Sequence, residues 1–261
     1  MGLKAYFLPQ VRSQMTGIPV MVTLTSTINN LGMALPWSKA TSFFSTLPAE
    51  FNVQPVIAAV DCVSDKDNRF KVYVRTQATH LSALCNMLTL GGQLKGPAID
   101  STLVKLRQIW RALFGSISDM TPVEHKPSNI GPTGFLFYYE MNLGNTLPIP
   151  KIYIPISRFL ESDAHVARVM SQFVGSSYCD DVQSVLWVLF SQNLGLILCA
   201  LINIHSPHRD LETRSGLHSH ITLAAKKGTC QISSYLNPEV FNNSLDHWIS
   251  PLIVLGILFK K

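Results

Sequence analysis

The chain has 261 residues, which is enough for one large domain or two small ones with a sizeable buried core. Its net charge of +5 is mildly basic, but only 14% of the residues are charged and no run of lysine or arginine exceeds two. This composition argues against a nucleic-acid-binding protein. The five cysteines are widely spaced and contain no CxxC pair, which predicts reduced core residues in a cytoplasmic protein.

Two apolar stretches raise the question of a membrane span. Residues 185–202 are long enough, but the polar residues Ser191, Gln192 and Asn193 lie near their centre. Residues 249–259 are too short to span a bilayer. We therefore expect no membrane-spanning helix.

The predicted elements alternate between strand pairs and helix pairs. Strand-like patterns cover residues 3–9, 56–63, 69–76, 134–143, 151–158, 216–226 and 229–236. Helical periodicity covers residues 19–33, 37–47, 79–90, 99–114, 162–174 and 181–203. The short, turn-rich links between strands, such as residues 64–68, predict that neighbouring strands pair as antiparallel hairpins.

A cation followed two residues later by a tyrosine recurs in three of the predicted strands. The pairs are Lys4 with Tyr6, Lys71 with Tyr73 and Lys151 with Tyr153, and Arg69 and Arg75 share the face of the second pair. Residues two apart on a strand point the same way, so the apolar residues between them occupy the opposite face. If the strands share a sheet, the cations converge on one surface with phenols among them.

These two unlike faces predict the architecture. The apolar faces need helices to pack against, and the polar faces then look into a lumen. We therefore predict an α+β protein, an antiparallel β-barrel ringed by α-helices, that is incomplete here with about seven strands. Lysine and arginine clusters suit a diphosphate, and tyrosine rings can stabilise a carbocation. Together they fit the ionisation of an allylic diphosphate.

Several motifs carry a resemblance to a known family. In chain order they are KAYFLP at 4–9, RFKVY at 69–73, MLTLGG at 87–92, KIYIP at 151–155, GLHSHI at 216–221 and SYLNP at 234–238. These motifs resemble those of the fungal dimethylallyltryptophan synthase-type indole prenyltransferases, whose fold is a ten-stranded antiparallel barrel ringed by helices. The resemblance supports one domain over residues 1–241, and residues 242–261 form a divergent tail.

The resemblance implies an enzyme of alkaloid or other secondary metabolism. It would transfer a dimethylallyl group from dimethylallyl diphosphate to an indole acceptor, such as tryptophan or a tryptophan derivative. The implied enzyme uses no metal or other cofactor, and the sequence contains no DDxxD motif. A homodimer is compatible with the family. The resemblance implies diphosphate binding by Lys4, Arg69, Lys71 and Lys151, and shielding of the allylic cation by Tyr6, Tyr73 and Tyr153.

Two departures from the family bear on activity. The family places further strands, its general-base glutamate and one diphosphate-binding arginine before the position of Lys4. We therefore expect this chain to correspond to the C-terminal part of such an enzyme, without a catalytic base and with impaired turnover. A tyrosine usual in the penultimate strand is His220 here. Two other functions stay open, namely a non-catalytic remnant that keeps the diphosphate site and an unrelated barrel that binds a phospho-ligand.

Other residues have simpler explanations. His218 and His220 share a predicted strand face, but no acidic ligand adjoins them, which argues against zinc. Cys179 has no local feature that would activate a thiol. Gly91 and Gly92 predict a break between two helices rather than a phosphate loop. In the fourth predicted strand, the face that points into the lumen stays open. It carries either Phe135, Phe137 and Tyr139, or Leu136 and Tyr138.

Overall fold

The computed structural model describes residues 3–63, 68–126, 134–174, 213, 215–216, 218–226, 228–236 and 255–258. Within these ranges eight strands form one antiparallel sheet, in which each strand pairs with its neighbours along the chain. The strands are β1 (Leu3–Phe7), β2 (Gln54–Cys62), β3 (Arg69–Thr76), β4 (Phe135–Asn142), β5 (Ile149–Ile154), β6 (His218–Lys226), β7 (Thr229–Leu236) and β8 (Leu255–Leu258). The α-helices are α1 (Pro9–Thr16), α2 (Val20–Asn30), α3 (Ala34–Phe44), α4 (Leu81–Thr89), α5 (Pro97–Phe114) and α6 (Asp163–Val174).

The seven predicted strands and their hairpins are present, but residues 156–158, predicted as the end of the fifth strand, form a short 3₁₀ turn. Strand β2 pairs with β3, β4 with β5, and β6 with β7, all antiparallel. Strand β8 lies within residues 242–261, which the sequence set apart as a tail, and it adds an eighth strand beside β7. In the described part of the chain β1 and β8 pair on one side only, so the sheet has two edges.

The sequence pattern does not predict α1. It treats Pro9 as the end of the first strand, whereas Pro9 opens this helix. Proline is well tolerated there because its missing N–H needs no partner in the first turn and its φ is already helical. The helix ends at Gly17, whose φ of 70° is a left-handed conformation that suits glycine.

The predicted helix at 181–203, which includes the apolar stretch 185–202, lies outside the described residues. Among the helices that are described, none has both the length and the apolar character needed to cross a membrane.

The hydrophobic core lies between the helices and one face of the sheet. Strand β3 buries Phe70, Val72 and Val74 completely or almost completely. The Trp110 ring of α5 lies 5.9 Å from the Phe135 ring of β4. This packing settles the open choice in β4. Phe135, Phe137 and Tyr139 face the helices, and the Tyr139 hydroxyl donates a 2.7 Å hydrogen bond to the Met87 carbonyl of α4.

The cysteines differ in part from the prediction of core residues. Cys62 is exposed, while Cys85 and Cys230 are partly buried, and all three are free thiols. The prediction is therefore wrong for Cys62, which is the last residue of β2 and is exposed where the strand ends. Cys179 and Cys199 lie outside the described residues.

Candidate functional site

The strand register places the predicted site residues on one face of the sheet, opposite the helices. Lys71 lies opposite Glu140 on β4 and Ala59 on β2. Tyr138 of β4 lies opposite both Tyr73 and Lys151. Lys4 and Tyr6 of β1 lie on the same face, because Tyr6 pairs with Ala59 of β2, which lies opposite Lys71. The seven residues named from the sequence, Lys4, Tyr6, Arg69, Lys71, Tyr73, Lys151 and Tyr153, therefore share this inner face, as predicted.

The sheet curls around this inner face. Lys226 of β6 reaches across β5 to Glu140 of β4, with Nζ 3.1 Å from Oε2. Lys4 of β1 is near enough to Lys151 of β5 to lower its pKa. Strands lie about 4.8 Å apart, so these two strands would be about 19 Å apart in a flat sheet. The inner face is therefore the concave wall of a lumen.

Two buried carboxylates lie among the lysines and arginines of the lumen. Asp61 of β2 and Glu140 of β4 are 5% and 2% exposed. The Lys71 amine lies 3.2 Å from Asp61 and 3.9 Å from Glu140. Arg69 contacts the same two carboxylates, with Nε 2.6 Å from Asp61 Oδ2. We refer to Lys4, Arg69, Lys71, Lys151 and Lys226 as the cation cluster.

The cation cluster is electrostatically crowded. Burial and the neighbouring Lys226, Lys4 and Lys71 lower the pKa of Lys151 to about 8. Burial also lowers the pKa of Lys71, although Glu140 and Asp61 oppose the shift. Burial alone would raise the pKa of Asp61, but Lys71 and Arg69 hold it below its usual value. Since the cluster has five cations and the described lumen two carboxylates, an added anion would relieve the repulsion.

Four tyrosine rings lie directly beside the cation cluster, and we call Tyr73, Tyr138, Tyr153 and Tyr235 the tyrosine layer. The Tyr73 ring lies 5.4 Å from Tyr138 and 6.0 Å from Tyr153. Tyr235 lies 5.9 Å from Tyr153. Burial raises the pKa of all four hydroxyls, so they stay neutral at physiological pH. The layer therefore presents aromatic faces and uncharged hydroxyls to whatever occupies the lumen.

Lys151 joins the two parts of the site. Its amine lies 4.9 Å from the Tyr153 ring centroid and 5.4 Å from that of Tyr235, and it donates a 3.2 Å hydrogen bond to the Tyr235 hydroxyl. This cation–π geometry shows that the rings already lie against one positive charge. Tyr6 differs from the other predicted tyrosines, because its side chain on the edge strand is 61% exposed.

Sequence reasoning did not assign four residues of the lumen to the site, and it left Tyr138 as one of two open choices. The four are Asp61, Glu140, Lys226 and Tyr235. The hairpin between β2 and β3 was predicted, and its register alone would have placed Asp61 beside Arg69. Lys226 and Tyr235 required the register of the last hairpin and the curvature of the sheet.

The prediction that His218 and His220 share a strand face is wrong. A register shift, typical of a β-bulge, lies between them. His218 is buried, and its backbone N–H and ring Nδ1 lie 2.9 Å and 3.1 Å from Asp163 of α6, so it does have an acidic neighbour. The His220 ring lies 6.3 Å from that of Tyr153. Burial and the nearby Arg158 lower the pKa of His220 to about 4, so its ring is neutral.

Solved structures share this arrangement of strands and helices. AnaPT from Neosartorya fischeri aligns with a TM-score of 0.63 at 21% identity, over 91% of this chain and 53% of that chain. A 6-dimethylallyltryptophan synthase from Micromonospora olivasterospora, solved in complex with DMASPP and Trp, aligns with a TM-score of 0.61 at 16% identity, over 92% of this chain and 58% of that one. The fold is that of the helix-ringed prenyltransferase barrels, which confirms the predicted fold class.

Sequence relatives identify the family to which the chain belongs. Residues 1–185 match the family model described as tryptophan dimethylallyltransferase, and the chain belongs to this family. The 4-O-dimethylallyl-L-tyrosine synthase of Claviceps purpurea is 30% identical over 260 residues, covering 92% of this chain and 53% of the relative. The 7-dimethylallyltryptophan synthase of Aspergillus fumigatus is 27% identical over 247 residues, covering 92% and 49%. The chain thus spans about half the length of the curated relatives it matches.

Proposed function

We propose that the chain binds dimethylallyl diphosphate in its lumen and transfers the dimethylallyl group to an aromatic acceptor. The observation that carries this proposal is the contact between the cation cluster and the tyrosine layer, made by Lys151. The cluster suits an anionic leaving group, and the layer suits a carbocation. Both are needed side by side when an allylic diphosphate ionises.

The cation cluster would bind the diphosphate oxygens. Lys4, Arg69, Lys71 and Lys151 take this role as the family resemblance implies, and the geometry adds Lys226, whose amine lies 3.1 Å from Glu140 within the cluster. When the allylic carbon–oxygen bond breaks, its electron pair moves onto the diphosphate oxygen. The positive charges lower the energy of the transition state because they stabilise the leaving group as its negative charge grows.

The tyrosine layer would hold the allylic cation away from water. Tyr73 and Tyr153 take the predicted shielding role, and Tyr138 and Tyr235 extend the same aromatic wall. Tyr6 would shield from the edge strand. A ring carbon or phenol oxygen of the acceptor then forms a bond to the allylic carbon, and the acceptor's proton passes to water or a base.

The acceptor is proposed as an indole or a related aromatic amino acid. An indole was expected from the family resemblance, and one relative is named for dimethylallyltryptophan. Another is named for dimethylallyl-L-tyrosine. Both names describe the prenylation of an aromatic amino acid, so tryptophan and tyrosine are the first acceptors to test.

Isothermal titration of the 261-residue chain with dimethylallyl diphosphate, without divalent metal, tests donor binding. Lys71→Met and Lys151→Met each remove one charge-assisted contact and should weaken binding about 10- to 100-fold. Lys39→Met is the matched control, because Lys39 is exposed on α3, and it should bind like wild type. Thermal melts of all variants establish that each is folded.

Two results would contradict the proposal. ADP binding as tightly as the allylic diphosphate would indicate a general phospho-ligand barrel. Equal donor affinity in the wild type and both cluster variants would show that the cation cluster is not the donor site.

Where donor binding holds, mass spectrometry of tryptophan and tyrosine reactions tests transfer, and no product from either would indicate a non-catalytic remnant. Sedimentation of the same samples tests the predicted homodimer.

A further inference from the structure

Strand β6 presents an imidazole, that of His220, to the lumen. Ala224 of this strand pairs with Lys151, and Thr222 pairs with Tyr153. Side chains two apart on a strand point the same way, so His220 occupies the next inner position after Thr222. It therefore lies roughly 7 Å farther along β6 from the cation cluster than the level of Tyr153.

The tyrosine layer places His220 on the side from which an acceptor approaches. The His220 ring meets the Tyr153 ring edge-on, at 81° and 6.3 Å, and the residue pairs with Tyr235 of β7. A donor whose diphosphate lies on the cation cluster has its allylic carbon at the tyrosine layer, as proposed above. The leaving group then occupies one side of that carbon, and the acceptor reaches it from the other side, where His220 lies.

The His220 ring is able to take up a proton. It is partly buried, and within the described part of the chain neither of its ring nitrogens makes a hydrogen bond. Burial and Arg158 keep the ring neutral, so one nitrogen carries a lone pair. Tyr153 on β5 and Tyr235 on β7 face the ring, and both hydroxyls are uncharged as well.

The other basic groups of the lumen are already engaged. Asp61 and Glu140 each contact two or more members of the cation cluster. Lys151 donates its proton to the Tyr235 hydroxyl. Of the lumen groups that the structure describes, His220 is thus the one that combines a free lone pair with a position at the far side of the tyrosine layer.

From this arrangement we infer that His220 is the general base of the transfer reaction and accepts the proton that the acceptor loses. The inference rests on the proposed function and deepens it, since it assigns the fate of that proton. An electron pair of the acceptor forms the bond to the allylic carbon, while the carbon–oxygen bond to the diphosphate breaks. The cationic adduct then gives its proton to a ring nitrogen of His220, and the imidazolium passes the proton to water.

The basicity of His220 sets the order of these steps. Its pKa of about 4 is far below the value of about 10 for a phenol, so the ring does not deprotonate a resting acceptor. The cationic adduct is a much stronger acid and loses its proton to a weak base. Arg158 disfavours the imidazolium that results, which favours release of the proton to water before the next turnover.

Two variants of His220 test the assignment, with L-tryptophan and L-tyrosine as acceptors. A positioned base contributes a factor of about 10² to 10⁴, so His220→Phe and His220→Ala should lower kcat by that amount. Both should bind a thiolodiphosphate analogue of the donor like wild type in calorimetry, because the cation cluster is unchanged. His165→Ala removes an imidazole of α6, outside the lumen, and should turn over like wild type.

Added imidazole distinguishes a base from a part of the lumen wall. His220→Ala leaves room for a free imidazole, which should restore kcat at least about tenfold. Methylimidazoles of higher basicity should restore it further, because the rate of proton transfer follows the strength of the base. His220→Phe fills the same space with a ring that carries no lone pair, and imidazole should not restore its activity.

The outcomes separate this inference from the proposed function. Product formation by His220→Phe at the wild-type rate would overturn the inference alone. The same holds if His220→Ala loses activity and no imidazole restores it, since the residue would then serve only the shape of the wall. A wild-type chain that forms no product with either acceptor would count against the proposed function itself, and the base assignment would fall with it.

Discussion

Lys151 lies where the two halves of the site meet, so its charge affects both. Its pKa of about 8 reflects burial and the repulsion of Lys226, Lys4 and Lys71, opposed by Glu140. A neutral Lys151 still contacts the tyrosine rings but no longer attracts the diphosphate. The state of this one proton should therefore control donor affinity near neutral pH.

Donor binding should weaken as the pH rises. Below pH 8 Lys151 is already charged, whereas above it donor binding must be accompanied by proton uptake. Donor affinity should fall about tenfold between pH 7 and pH 9.5, as measured by calorimetry. The ligand-free protein should show the opposite trend, because a lysine with a lowered pKa destabilises the fold less once it is neutral. Its free energy of unfolding should rise over the same interval.

Lys151→Arg is the control for this pH dependence. Arginine stays charged throughout the interval, so the variant should lose most of the decrease in affinity. Any remaining decrease would come from Lys71, whose pKa is also lowered. Wild-type affinity that stays constant from pH 7 to pH 9.5 would contradict the assignment of Lys151 to the donor site.

Glu140 should oppose donor binding while it stabilises the empty lumen. It lies 3.1 Å from Lys226, 3.8 Å from Arg69 and 3.9 Å from Lys71, so it neutralises groups that would otherwise bind phosphate oxygens. Glu140→Gln keeps the shape and removes the charge. Donor affinity should rise several-fold, and the free energy of unfolding without ligand should fall by about 1–3 kcal/mol.

Calorimetry and urea unfolding of the same Glu140→Gln protein measure the two effects. Glu50→Gln, on an exposed 3₁₀ turn, serves as control and should change neither. A variant that binds the donor more weakly than wild type would show that Glu140 assists binding.

At the scale of single residues, the sequence identifies the repeated part of the site. Lys71 with Tyr73 and Lys151 with Tyr153 stand two apart on strands whose alternation is clear, so a shared face follows from the period alone. Glu140 and Lys226 meet across an intervening strand. That contact depends on how strongly the sheet curls, which no local pattern encodes.

Strand β4 depends on the glycine that immediately precedes it. Gly134 has a φ of 97°, and a Cβ there would lie 1.9 Å from the Thr76 carbonyl oxygen of β3. Backbone cannot move aside as a flexible side chain can, so β4 would have to shift relative to β3. This matters for the site, because β4 supplies Tyr138 and Glu140 to the lumen.

Gly134→Ala should therefore destabilise the protein severely. We expect the free energy of unfolding to fall by more than about 3 kcal/mol, or the folded state to be lost, because a backbone clash adds to the strain of a positive φ. Gly144→Ala is the matched control. Its φ is 80° but the space around it is open, so only about 1 kcal/mol should be lost. Similar urea midpoints for the two variants would contradict the clash.

At the scale of elements, regular alternation predicted the strands, and local irregularities escaped it. Helix α1 is short and weakly amphipathic, and its first residue, Pro9, also fits the end of a strand. The bulge between His218 and His220 moves one residue out of register without any change in composition. Each irregularity is held by tertiary contacts, such as the hydrogen bonds between His218 and Asp163.

The charge of the whole chain is unevenly placed. The net charge is +5, and the lumen gathers five cations around Asp61 and Glu140. Like charges gathered in one lumen oppose folding and favour anion binding. Salt should therefore act on folding and on ligand binding in opposite directions.

Raising NaCl from about 0.05 to 0.5 M shortens the Debye length from roughly 14 Å to roughly 4 Å. Repulsion across the lumen is then screened, and the melting temperature of the ligand-free chain should rise by a few degrees. The buried contacts of Asp61 and Glu140 are screened less, so they should persist. The additional rise in melting temperature caused by dimethylallyl diphosphate should shrink, because the attraction between donor and lumen is weakened.

Lys151→Met should flatten both salt dependences, since it removes one charge from the crowded lumen. Lys39→Met removes the same charge from the exposed surface of α3 and should leave both slopes close to wild type. Thermal melts across the salt series, with and without donor, measure all of these slopes. Equal slopes for the two variants would mean that salt acts on the net charge of the chain and not on the lumen. In that case the cation cluster would not be the site at which charge, stability and donor binding are linked.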